Sequence, residues 1–267
     1  MIESIPTNVL ILILFVFGSI FGSFFNVVIY RLPKDESIVF PSSHCYRCKK
    51  PIKYLDNIPI FSFFNLGGKC RNCNETYSMR YLFVEVLTAL MTVSLYLIYG
   101  LNVNFFMYLL LVYLLIPITF IDIDHFIIPN EFILIGLLIL SIGLPLNFLP
   151  IEWIEGVYGA LVFAGFLFFI GIIGQFILKK ESIGFGDVKL GLILGGYLGV
   201  KLSILALYMS FAISAIIVFI LLGSNLIDRK AKIPFGPYLA GGTLLAILTT
   251  LPNGTNVVIN WYINTMF

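Results

Sequence analysis

Long apolar runs separated by short polar intervals dominate the chain from residue 8 onward. Crossing about 30 Å of hydrocarbon as a helix takes roughly 17 to 25 apolar residues. Eight runs answer to that reading, at approximately 8–30, 82–100, 103–121, 127–147, 153–178, 187–200, 202–222 and 235–251. The sixth is short, carries Gly191, Gly195, Gly196 and Gly199, and is followed almost at once by the seventh. The pattern predicts an all-α polytopic membrane protein with about eight transmembrane helices. One long polar stretch interrupts it, between the first and second runs.

Composition agrees with a bilayer solvent: 60% of residues are hydrophobic and 11% charged, against roughly 25% charged in a soluble domain, and the mean hydropathy is +1.02. Charge then orients the chain, because Lys and Arg accumulate in cytoplasmic loops. Nine of the sixteen basic residues lie between Arg31 and Arg80, so that insert is expected on the cytoplasmic side. Counting outward, the turn near Asp122, the Lys179-Lys180 to Asp187 connection and the Asp228-Arg229-Lys230 loop fall on the same side, and Lys201 alone breaks the pattern. The N-terminus is expected outside. It has no basic n-region, so the first run reads as a retained span rather than a cleaved signal. The net charge of +2 comes from the insert, whose bases suit anionic headgroups or an acidic stretch of substrate. No groove-reading element accompanies them, which argues against a nucleic-acid partner.

All four cysteines sit in this insert, as Cys45-Tyr46-Arg47-Cys48 and Cys70-Arg71-Asn72-Cys73 with 21 residues between the pairs. Two Cys-x-x-Cys turns complete a tetrahedral zinc-ribbon site, and four thiolates leave no open position, so the zinc is expected to be structural. Two disulfides or free thiols are the alternatives, and a cytoplasmic loop argues against the disulfides. His44 is a conceivable substitute ligand, though a surface position suits it better. The apolar stretch Asp56 to Phe64, with Gly67-Gly68 turning the chain back, is expected to pack on the zinc module or lie in the membrane interface.

Acids inside or at the ends of apolar segments need an explanation, because desolvating an isolated carboxylate costs several kcal/mol. Ile121-Asp122-Ile123-Asp124-His125 and Gly184-Phe185-Gly186-Asp187 are two such sites, both expected at one membrane face. Helix capping is one reading: Asp187 follows Gly186 and precedes the run Val188 to Leu198 as a plausible N-cap. It leaves the second acidic cluster unexplained, and Gly184 and Gly186 are expected to admit a close backbone approach. Paired carboxylates at close range do not both ionise easily, so one holds a proton while the other accepts one from water. That is hydrolysis without a bound nucleophile. A transporter or channel using Asp122, Asp124 and Asp187 for protons or cations, and a scaffold whose acids merely cap helices, are the rival classes. No inverted repeat supports the former.

Several ordered motifs together resemble the type IV prepilin peptidases, membrane aspartic proteases that also N-methylate. They are Gly22-Ser23-Phe24-Phe25-Asn26 through Tyr30-Arg31-Leu32-Pro33, the paired cysteines, Asn57-Ile58-Pro59, Arg80 to Glu85, Asp122 to Pro129, and Gly184 to Leu190. Tyr46 and Asn130 depart from the family's usual Pro and Asp. The resemblance covers nearly the whole chain and implies a division into 1–30 as the first transmembrane helix, 31–81 as the methyltransferase-associated zinc insert and 82–267 as the membrane-embedded peptidase body. It implies catalytic Asp122 and Asp187, with Asp124, Gly184 and Gly186 in support. Asp124 is the alternative to Asp122, since two positions at a helix end differ by about 200° and only one squarely faces a partner. The implied substrates are type IV prepilins or pseudopilins with a basic leader, the implied methyl donor is S-adenosylmethionine, and the implied location is the bacterial inner membrane with the site at its cytoplasmic face. No glycine-rich nucleotide loop follows a strand, so the methyl donor rests on the resemblance alone.

Overall fold

In the computed structural model, which describes residues 6–178, 183–228, 231–251 and 254–266, every regular element among those residues is helical. Lys179, Lys180, Arg229 and Lys230, used above to orient the chain, lie outside the described residues. Five helices are long and apolar enough to cross a membrane: α1 (Thr7–Arg31), α3 (Met79–Tyr99), α4 (Val103–His125), α6 (Trp153–Leu178) and α7 (Phe185–Gly223). A short α2 (Phe61–Asn65) lies in the insert, and α5 (Asn130–Gly143), α8 (Gly236–Leu248) and α9 (Val257–Met266) complete the order.

Two differences from the expected eight spans have local causes. The sixth and seventh runs form one 39-residue element, about 58 Å at 1.5 Å per residue and too long for a single crossing. It kinks at Gly199, whose φ of +67° with ψ of −178° no β-carbon tolerates well, so the boundary between the two runs falls two positions before residue 201. The fourth and eighth runs give only the short helices α5 and α8. Pro129 sets the start of α5, and Leu144 to Asn147 turn out of the helix. Pro237 sits in the first turn of α8, and beyond it Asn256 donates to the Ala246 carbonyl at 3.1 Å and accepts from the Val258 and Ile259 N–H groups, which starts α9 in what read as tail.

The chain divides into two compact units, Met1–Leu97 and Ile98–Phe267. In the first, α1 lies against α3 through small residues: a β-carbon on Gly18 would stand 2.7 Å from the Ala89 Cα, and one on Gly22 would stand 2.6 Å from the Glu85 Cα. The Gly18 to Gly22 spacing thus serves a contact within the chain. Asn26 Nδ2 adds a bond to the Tyr81 carbonyl at 3.0 Å, while Leu12, Phe17, Ile20 and Phe24 stay exposed, as a lipid-facing surface requires. In the second unit, α4 is the buried helix, packed on α5 and α8, and α7 runs against α5, α6 and α8.

Candidate active site and metal centre

Helix α4 ends where the acids are. Phe126 adopts φ +57°, and its N–H bonds the Asp122 carbonyl at 2.9 Å, a left-handed C-cap that ends the helix at His125. The last turn splits the acids by face: Asp122 is 5% exposed, whereas Asp124 is exposed. Asp122 Oδ2 accepts the Gly236 N–H at 2.9 Å, from the first residue of α8. The carboxylate thus meets the positive end of a helix, a favourable arrangement.

Asp187 is presented by a second helix start. Its N-cap is Gly184, not Asp187 as the sequence allowed: the Asp187 N–H donates to the Gly184 carbonyl at 3.1 Å, and Asp187 Oδ2 accepts the Gly184 N–H at 3.2 Å. Asp187 is therefore the third helical residue, with its carboxylate folded back on the cap. It is 8% exposed. Gly186 packs on Ile128, just after the Asp122 turn; a β-carbon there would stand 3.3 Å from the Ile128 Cβ.

Two partners escaped the sequence reading. Gly236 is one: a β-carbon on it would stand 2.7 Å from Asp122 Oδ2. Pro234-Phe235-Gly236-Pro237 was its signal, a glycine just ahead of a first-turn proline. The other is Asn130, whose Oδ1 accepts from Lys189 Nζ at 2.9 Å, with that Nζ 5.2 Å from the centre of the exposed Phe185 ring.

In the first unit the four cysteine sulfurs lie within 4.8 Å of one another. Cys45 and Cys73 are 3.7 Å apart and Cys48 and Cys70 are 4.0 Å apart, close to the about 3.8 Å edge of a tetrahedron with 2.3 Å zinc–sulfur bonds. That is far beyond a disulfide, and all four are free. His44 is outside the cluster, its Nδ1 standing 3.1 Å from the Ser42 carbonyl.

The two knuckles repeat one ladder: Cys45 N–H to Lys50 carbonyl and Lys49 N–H to Cys45 carbonyl in the first, Cys70 N–H to Glu75 carbonyl and Asn74 N–H to Cys70 carbonyl in the second. Lys49 and Asn74 both take positive φ. The Asn72 N–H donates to the Cys70 sulfur and, against burial, helps bring that thiol down to about 6, while the Cys48 N–H lowers Cys45. Against the Glu75 N–H, burial and the neighbouring sulfurs instead push the Cys73 thiol up to about 12. Arg47 pairs with Glu75 across the knuckles, and Arg71 holds Asp56 with two bonds of 2.6 and 2.8 Å. The apolar stretch is thereby tied to the module, although Tyr54, Leu55, Phe61 and Phe64 remain exposed.

Comparison with known proteins matches the bacterial Peptidase A24 N-terminal domain at residues 16–99 and the type IV leader peptidase family at 109–221. A relative from Aeromonas salmonicida strain A449, named prepilin leader peptidase/N-methyltransferase, is 34% identical over 95% of this chain and 94% of its own length. The chain belongs to the type IV leader peptidase family. Proteins of the same name from Bacillus subtilis strain 168 and Pseudomonas aeruginosa strain PAO1 are 32% and 31% identical, over 88% and 86% of this chain and 93% and 87% of their own lengths. No solved structure matches. The leader peptidase assignment makes the chain an integral membrane enzyme, a peptidase with methyltransferase activity, and leaves the transporter reading without support.

Proposed function

We propose that this leader peptidase removes the basic leader of type IV prepilins or pseudopilins at the cytoplasmic face of the bacterial inner membrane and then N-methylates the residue so exposed. The observation that supports the reading is that Asp122 and Asp187, acids from distant segments, are both buried and each accept a glycine N–H at a helix start. Like charges at close quarters favour one shared proton. The ionised carboxylate takes a proton from water as its oxygen attacks the scissile carbonyl. The protonated one then gives its proton to the departing amine as the carbon–nitrogen bond breaks. Gly236 and Gly184 hold the two carboxylates; Asp124 is a supporting residue on the other face of the turn. Residues 1–30 act as the anchoring helix, 31–81 as the methyltransferase-associated insert and 82–267 as the peptidase body.

Cys45, Cys48, Cys70 and Cys73 fit one zinc ion, which has no open position for substrate and so serves to staple the insert. S-adenosylmethionine, when bound, supplies an electrophilic methyl carbon on sulfur, transferred to the new α-amine. Mass spectrometry of a prepilin incubated with the purified enzyme, with and without S-adenosylmethionine, tests the whole reading. Loss of the leader mass is expected in both, and a further methyl increment only with the donor. An intact prepilin under both conditions would reject it.

A further inference from the structure

Between the two cysteine knuckles, a strap is formed by the single helical turn Tyr54–Asn57 and by α2. One side of it is fastened. Asp56 is held by Arg71, the Phe63 ring packs on Gly68, where a β-carbon would stand 2.9 Å from its Cζ, and the Ile60 N–H reaches Glu85 Oε2 at 2.7 Å. The other side is apolar and uncovered. Leu55, Ile58, Phe61 and Phe64 recur at every third position; Leu55, Phe61 and Phe64 are 62% to 76% exposed, and Tyr54 is 98% exposed. Large apolar groups gathered on one short exposed segment mark an interaction surface.

The depth of the strap indicates what covers it. Helix α3 has 21 residues, about 32 Å at 1.5 Å each, and so fits the roughly 30 Å hydrocarbon core with little to spare. Glu85 lies about 9 Å in from the Met79 end of that helix. Ile60 is therefore pinned at the edge of the core, within a turn of the exposed Phe83 on α3. The attachment is held at a conformational cost, since this β-branched residue takes φ +65° and ψ −55°, with the Phe61 N–H closing on the Pro59 carbonyl at 2.6 Å. Strained turns of this kind persist where surrounding contacts over-determine them. Charge points the same way: exposed Lys49, Lys50 and Lys53 lead into the strap, and Asp56, the one acid between 49 and 66, is taken up by Arg71. Apolar and aromatic side chains beside clustered lysines suit the boundary between acyl chains and anionic headgroups.

We propose that the strap, through Tyr54, Leu55, Ile58, Phe61 and Phe64, inserts into an anionic lipid leaflet and holds the cysteine module at headgroup level. This insertion requires only that α1 and α3 cross the bilayer, and it stands apart from the peptidase and methyl-transfer readings. Full-length enzyme carrying Trp153→Phe and Trp261→Phe, with Phe61→Trp as its sole fluorophore, is placed in vesicles of phosphatidylcholine and phosphatidylglycerol whose acyl chains bear bromine near the glycerol. Its emission is expected to be largely quenched by the brominated lipid and little affected by aqueous acrylamide. Leu55→Trp in the same background should behave alike, with zinc content equal to wild type as the check on a folded insert. Vesicles of phosphatidylcholine alone, or Lys49→Gln, Lys50→Gln and Lys53→Gln together, should reduce the lipid quenching. Quenching by acrylamide alone would overturn the proposal by leaving the strap in water. Protection from both quenchers would overturn it in favour of a protein cover, the second unit or a bound prepilin. Lipid quenching that ignores both the lysines and the phosphatidylglycerol would reject the anionic leaflet.

Discussion

Gly236 donates its N–H to Asp122 Oδ2 at 2.9 Å, and that oxygen stands 2.7 Å from where a Gly236 β-carbon would be. The hydrogen bond needs only a backbone; the closeness needs the absence of a side chain. Gly236→Ala keeps the donor and pushes the carboxylate aside. A displacement of about 1 Å can cost about 100-fold in rate, so kcat for prepilin cleavage should drop by roughly 10- to 100-fold with KM little changed. Wild-type kcat in Gly236→Ala would show that Asp122 does not need this contact.

For the dyad itself, Asp122→Asn and Asp187→Asn should each lower cleavage by about 1000-fold or more, because each removes a proton-transfer group, while Asp124→Asn is milder. The rate should fall at both low and high pH: full protonation removes the base and full ionisation removes the acid. The two apparent pKa values belong to the pair. Substantial cleavage by Asp187→Asn sinks the assignment, and a dead Asp124→Asn beside an active Asp122→Asn transfers the first role to Asp124.

Elemental analysis of the purified enzyme should find about one zinc per chain, as four thiolates on one ion require. Cys48→Ser or Cys73→Ser should lower that content and open the insert to protease, because a metal-stapled module loses its fold with its metal. Ready alkylation of all four cysteines in metal-replete enzyme contradicts the site.

Separate groups for the two reactions predict separable activities. The acids stand at 122 and 187, whereas the metal ligands lie between Cys45 and Cys73 in the insert. Folded Asp187→Asn should therefore still transfer radiolabelled methyl groups to a pre-cleaved pilin, and Cys70→Ser should lose that transfer. No incorporation by Asp187→Asn would favour one site for both.

Much of the chemistry was legible because it is written in short local patterns. Cys-x-x-Cys spacing brings two sulfurs to one side of a turn whatever surrounds it, so the four-sulfur cluster follows from residues 45–73 almost alone. The apolar runs foretold a helical membrane body for a similar reason, since hydrocarbon leaves the backbone little choice but to bond to itself. The same logic misjudged lengths. Hydropathy does not record where a proline, a capping Asn256 or a left-handed Gly199 ends a helix within an unbroken apolar run.

Tertiary structure decided what each acid faces. Asp122 and Asp124 are two residues apart in one apolar setting, and only the end of α4 at Phe126 and the arrival of Gly236 give the first a buried partner and leave the second exposed. Gly236 itself could not be linked to Asp122 from the sequence, because its contribution is a bare N–H, and every residue but proline has one. Glu85 likewise reads along the chain as one acid in an apolar helix; the strained turn at Ile60 that donates to it exists only once α3 and the insert have packed. Residue types and spacing thus established which groups were available, while the meeting of distant backbone ends determined which of them are buried, hydrogen-bonded and within reach of one another.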